Sequence, residues 1–252
     1  MSDLYWLSDA QMERLRPYFP KSHGKPRVDD KRVLSGIIFI NRNGLRWRDA
    51  PREYGPHKTL YNRWIRWSRM GVFARIMEGL AAEQADCRTI MIDATYLKAH
   101  RTASSLQAPK GGRGRLIGRT KGGMNTKLHA VTDREGRPVR LFVTAGQVSD
   151  YKGALALQSG FPQADWLLAD RGYDADWFRN SLSESKIRAC IPPRKSRTIP
   201  IKYDKRRYRR RHRIEIMFGR IKDWRRVATR YDRCPKVFLS AIALAATVIY
   251  WL

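Results

Sequence analysis

Cysteine is scarce in this chain, and its three copies stand apart. Cys87, Cys190 and Cys234 form no C-x-x-C pair, and an odd number argues against a disulfide framework. The five histidines are scattered as well, so sequence neighbours do not build a zinc finger. Acidic residues are few, 23 against 51 Lys and Arg, which leaves a formal charge of +28. That excess would repel itself in isolation. A polyanion is the natural partner, because neutralising phosphates releases counterions whatever the sequence. The opening MSDLYWLSDAQMERL lacks the pattern of a signal peptide. The apolar run VFLSAIALAATVIYWL (237–252) falls short of the roughly 20 residues of a membrane span and reads as a buried core helix. The expectation is a cytoplasmic protein with no membrane partner.

The 252 residues suffice for one large domain or two smaller ones. Residues 1–84 read as short helices. LSDAQMERLRPYF starts at a Ser8 or Asp9 cap and stops near Pro17, and DDKRVLSGIIFINRNG ends at Gly44. In HKTLYNRWIRWSRMG, Leu60, Trp64 and Trp67 form a core stripe at helical spacing. Lys58, Thr59, Asn62, Arg63, Arg66 and Arg69 lie mostly off that stripe. A basic third helix after short turns resembles a helix-turn-helix DNA reader; the alternative is a plain helical bundle with a charged face.

Residues 85–252 change character. RTIMIDAT is a short strand, TKLHAVTD and RPVRLFVTAG flank a hairpin turn, and DWLLADRGYD is a buried strand with a turn at Gly172. VSDYKGALALQSG and DADWFRNSLSESK look helical, IRACIPP is a strand stopped by proline, and a long helix is expected from about Tyr208 to Tyr231. The order predicts an α/β fold, a mixed sheet flanked by helices. The Gly-, Arg- and Lys-rich stretch 101–123 reads as a flexible basic loop, either tracking a DNA backbone or simply solvated.

Three carboxylates stand out. Asp93 closes the strand IMID, Asp170 closes WLLAD, and Glu215 stands alone in the basic run YRRRHRIEIMFGRIKDWRR. A strand-end carboxylate needs a positive or hydrogen-bonding partner once buried, and two close together resist ionisation. A divalent cation with oxygen ligands relieves that conflict. At about 100° per residue, Tyr208, Arg211, Glu215 and Lys222 share a stripe about 60° wide, beside a core face of Ile214, Met217, Ile221, Trp224 and Ala228. Arg211 and Lys222 are then placed to hold phosphates near Glu215. Plainer readings exist. Asp170 could cap a turn while Asp174 or Asp176 acts as the ligand, Glu215 could pair only with Arg211 and Arg213, Tyr208 could simply pack, and Asp150 reads as a helix N-cap.

The spacing Y-(2)-R-(3)-E-(6)-K over Tyr208, Arg211, Glu215 and Lys222 resembles the signature of bacterial insertion-sequence transposases of the family 4 and family 5 groups. "DRGY" at 170–173 and "IDAT" at 92–95 resemble their two aspartate blocks, and "LRWRDAPREYGPHKTLYNRWIRW" resembles the family 5 N-terminal region. The resemblance implies a helical DNA-binding domain (1–84) before a ribonuclease H-like catalytic domain (85–252), with a DDE triad of Asp93, Asp170 and Glu215. It implies two Mg²⁺ or Mn²⁺ ions on that triad, and double-stranded DNA as partner, both transposon ends and target. It also implies a dimer or larger assembly on DNA, associated with a bacterial nucleoid. The short stretch between Asp170 and Glu215 has no room for the β-rich insertion of some relatives. A nuclease that cuts without joining and a non-catalytic DNA-binding regulator remain as alternatives. A tyrosine recombinase does not, because its H-x-x-R spacing fails at Glu215.

Overall fold

Of the two caps the sequence offers, Ser8 starts the first helix. Its hydroxyl accepts from the Gln11 backbone while the Gln11 side chain returns to the Ser8 N–H, a capping box that satisfies two free helix-end donors. The computed structural model describes residues 3–21, 29–105, 113–199 and 201–252. Helices α1 (Asp9–Leu15), α2 (Asp30–Asn43), α3 (His57–Arg69) and α4 (Val72–Gln84) come first. Gly44 ends α2 in the left-handed conformation (φ 72°) that favours glycine. Between α2 and α3 lies a longer connection with two 3-10 turns, whereas α3 and α4 are joined by the tight Met70–Gly71 turn. Leu60, Trp64 and Trp67 are fully buried, as their spacing requires.

The second region begins with β1 (Thr89–Ala99) and a single helical turn, α5 (Arg101–Ser104). Next come β2 (Gly118–Thr120), β3 (Gly123–Thr132), β4 (Pro138–Ala145) and α6 (Asp150–Gln158). They are followed by β5 (Trp166–Leu168), α7 (Asp176–Glu184) and β6 (Arg188–Cys190). The chain closes with α8 (Lys205–Tyr208), α9 (His212–Lys222), α10 (Arg225–Ala228), β7 (Thr229–Arg230) and α11 (Pro235–Tyr250). The strands form one mixed sheet ordered β2-β3-β1-β5-β6, with β4 also on β3 and β7 also on β1. β1 runs antiparallel to β3 and parallel to β5 and β7. Helix α11 is apolar on nearly every side and packs on α2, α3, α4, α9 and β4, so one continuous core runs from Leu7 to Trp251. No helix among the described residues is long and apolar enough to cross a membrane.

Five expectations change. Asp93 does not close its strand, because β1 continues to Ala99. The helix expected to reach Tyr231 ends at Lys222. Trp224 turns extended (ψ 112°) to bury its ring, and the chain then pairs as β7 with Lys98 and Ala99 of β1. Ala228, expected on the core face, is only partly buried. The basic stretch 101–123 is not wholly loop: α5 opens it, and β2 joins the sheet by pairing with Met124 and Asn125. Residues 106–112 of that stretch lie outside the described residues. Finally, Ser149 occupies the N-cap position of α6, and Asp150 instead pairs with Lys127 at 2.9 Å.

Candidate active site

Strand register brings the two aspartates together. Met91 of β1 is level with Leu168 of β5 on parallel neighbours. Two residues further along each chain lie Asp93 and Asp170. β5 has ended by then, and β7 pairs with β1 only from Lys98. Between the two, the described residues give that edge of β1 no strand partner. Asp93 sits in this notch, and one of its oxygens accepts the Ala94 N–H at 2.8 Å. Asp170 follows β5 and accepts the Gly172 N–H at 2.8 Å, capping the 3-10 turn Arg171–Tyr173. Capping uses one oxygen, so the turn orients Asp170 without consuming it.

Burial raises the Asp93 carboxyl to about 6. Arg211 and the Ala94 N–H oppose that rise, and the charge of Asp170 adds to it. Burial is the larger cause, and the nearby charge of Asp170 adds a lesser one in the same direction. Tyr173, three residues after Asp170, is buried, and its hydroxyl has no hydrogen-bond partner among the described residues. Burial, reinforced by Asp150, Asp93 and Asp170, drives its pKa well above the ordinary value, so the phenol stays protonated. Sequence reasoning missed it, although it stands in the quoted DRGY.

Helix α9 lies across the same face of β1 and delivers the third carboxylate. Arg211 binds Asp93 Oδ2 at 2.8 Å and also pairs with Glu215 Oε1. Lys222 donates to Thr95 Oγ1 at 2.6 Å. Thr95 lies two residues beyond Asp93, on the same face of β1, a partner that the alternation of the strand could have flagged. Burial lowers the Lys222 pKa. Tyr208 is half-buried beside Tyr203, with the Arg211 guanidinium 5.8 Å from its ring centre. The predicted stripe therefore faces the carboxylates, but with a different division of labour. Arg211 pairs with two acids, Asp93 and Glu215.

The rival aspartates lie elsewhere. Asp174 is enclosed by Arg179 (2.7 Å), Arg197 (3.0 Å) and the Arg194 N–H (2.7 Å). Asp176 is exposed and pairs with Arg197. Among the described residues, no three His, Cys, Asp or Glu side chains already cluster as a metal cage. The donors nonetheless suit a hard divalent ion: they are carboxylate oxygens, those of Asp93 on β1 and of Asp170 just past the end of the adjacent β5. On α3, Lys58, Asn62, Arg66 and Arg69 are exposed. Arg63 is not free in the same way; it packs on Trp67 and lies 3.5 Å from Asp30. None of these five hydrogen-bonds to the carboxylate site among the described residues.

Residues 85–251 match the family model described as "Transposase DDE domain". The chain belongs to this family. Residues 7–77 match a second model, "Putative transposase of IS4/5 family". A Brucella ovis protein named "Putative transposase for insertion sequence element IS6501" is 37% identical over 128 residues, 50% of this transposase and 98% of that protein. An uncharacterised 16.2 kDa protein of insertion element IS402 from Burkholderia cepacia is 32% identical, over 38% of this chain and 71% of its own. In three dimensions, the piggyBac transposase in its synaptic complex with hairpin DNA aligns with a TM-score of 0.57 at 8% identity, covering 94% of this chain and 68% of that one. The fold is thus ribonuclease H-like, and the protein is a DDE transposase, an enzyme class that uses divalent metal ions.

Proposed function

We propose that this transposase binds the terminal inverted repeats of its own insertion sequence, cuts the DNA at the element's ends and joins them to target DNA. The observation that carries the reading is the placement of Asp93 and Asp170 two residues beyond the paired Met91 and Leu168, with Arg211 bridging Asp93 to Glu215. In this reading Asp93, Asp170 and Glu215 hold two Mg²⁺ or Mn²⁺ ions. Bound divalent ions would supply positive charge to the pentavalent phosphorus and make water a better nucleophile.

The chain's own groups position the rest. Water attacks the phosphorus at the element's end, the P–O3′ bond breaks, and a 3′-hydroxyl and a 5′-phosphate result. That 3′-hydroxyl then attacks a target phosphorus in line and expels the target's 3′-oxygen, with no covalent protein intermediate. Lys222, held by Thr95, steadies a phosphate as a point charge. Residues 1–84 form the end-reading domain, with Lys58, Asn62, Arg66 and Arg69 on the exposed face of α3 and Arg63 supporting them. Residues 85–252 form the catalytic domain. Two ends must be handled together, so a dimer or larger assembly forms on double-stranded DNA, at the nucleoid in the bacterial cytoplasm.

The test is a labelled duplex carrying the element's end, with and without Mg²⁺, comparing wild type with Glu215→Gln. Metal-dependent cutting that leaves a 3′-hydroxyl and is lost in the variant supports the reading. Binding without cutting in both proteins, with Mn²⁺ and a partner end also tried, would identify a regulator. A pre-cut end that is never joined would identify a nuclease.

A further inference from the structure

One guanidinium occupies the space between the two carboxylates that come from different elements. Arg211 binds Asp93 Oδ2 at 2.8 Å and Glu215 Oε1 from its other terminal nitrogen. Its side chain is only 16% exposed, whereas that of Glu215 is 54% exposed. The second oxygen of Asp93 already takes the Ala94 N–H. Both oxygens of Asp93 are therefore engaged, and a cation arriving at Oδ2 meets a fixed positive charge. The same arginine holds Glu215 four residues along the chain. Asp93 and Glu215 are the ion-pair partners of Arg211 among the described residues. Once released it needs another anion, because a half-buried guanidinium without one is costly. Lys222 makes the contrast: it donates to a neutral hydroxyl and leaves the carboxylates unblocked.

We propose that Arg211 is a displaceable counter-ion: it holds Asp93 and Glu215 against metal in the DNA-free protein and passes to a DNA phosphate when the end is bound, so that metal and DNA binding are coupled through this side chain. The proposal rests on the reading that Asp93 and Glu215 are metal ligands. A phosphate suits the released fork, which can bind two oxygens at once. Coupling of this kind is reciprocal: DNA that draws Arg211 away strengthens metal binding, and metal that claims the carboxylates strengthens DNA binding by the same factor. It would keep an enzyme that cuts chromosomes from assembling its centre until an end is in place.

The experiment measures Mn²⁺ binding to the full chain by electron paramagnetic resonance, without DNA and with a pre-cut end duplex. In the DNA-free state Arg211→Gln should bind Mn²⁺ about 10- to 100-fold more tightly than wild type, and the tightening caused by DNA should be smaller in the variant. Arg211→Lys keeps the charge but reaches only one carboxylate. It should fall between the two, and it decides the matter if the glutamine variant folds poorly. Equal or weaker Mn²⁺ binding in both variants, still abolished by Asp93→Asn, would overturn the counter-ion and leave the site standing. Mn²⁺ binding indifferent to both Asp93→Asn and Glu215→Gln would overturn the site reading itself.

Discussion

Asp174 lies four residues after Asp170 and is more deeply buried, so its replacement separates a structural carboxylate from a ligand. Its side chain is fully buried, and it accepts from Arg179 Nε at 2.7 Å, from Arg197 at two nitrogens (each 3.0 Å) and from the Arg194 N–H at 2.7 Å. Asp174→Asn keeps the shape and removes the charge. Arg179 and Arg197 are then left facing a neutral amide. Breaking a fully buried pair costs about 3–5 kcal/mol; these arginines retain some solvent contact, so about 2–4 kcal/mol is expected here. The pH dependence gives a second check. Burial alone would raise the Asp174 carboxyl, but Arg197, the Arg194 N–H and Arg179 reverse this and hold it at about 2. A depressed carboxylate contributes stability that is fully present above its unfolded value of about 3.9 and is lost as the folded pKa is approached. The gap between wild type and Asp174→Asn in urea unfolding should therefore be largest near neutrality and narrow below about pH 4. Mn²⁺ binding of the folded variant should match wild type. A variant as stable as wild type, or one that folds normally but loses Mn²⁺, would make Asp174 the ligand and refute the reasoning.

Two further substitutions probe the site's supports. Thr95→Val keeps the shape of the strand but removes the acceptor of Lys222. A hydrogen bond to a charged group is worth about 1.5–3 kcal/mol, so end cleavage in single turnover should slow roughly tenfold or more while Mn²⁺ binding is unchanged. An unchanged cleavage rate would remove Lys222 from phosphate positioning. Gly153 of α6 lies against the buried His129, and a Cβ there would meet its Nδ1 at 2.0 Å. Gly153→Ala should destabilise the protein by about 1–3 kcal/mol through overpacking, read as a lower melting temperature; an unaltered melt would contradict this packing of α6 on the sheet.

What the sequence made legible follows from periodicity. The Leu60, Trp64, Trp67 stripe, the start of α1 at Ser8 or Asp9 and the hairpin around the turn at Gly136 depend on neighbours in the chain, and a local pattern reports them. The end of α9 was not legible, because Trp224, Arg226 and β7 answer to distant partners. Arg226, for example, donates to the Leu45 carbonyl, 181 residues away. The site shows the same division. Helical spacing gave the direction of Arg211, toward the side that Glu215 shares. It could not give what waits on that side, since Asp93 lies 118 residues earlier in the chain. Charge pattern suggested a phosphate grip, and in a protein of +28 that is the natural inference. In the DNA-free fold, however, the scarce acids compete for the abundant cations. A basic side chain beside a desolvated carboxylate pairs with it until a stronger anion arrives. On the counter-ion proposal the same residue neutralises the carboxylates first and holds DNA later, and spacing alone reports only the direction in which it acts.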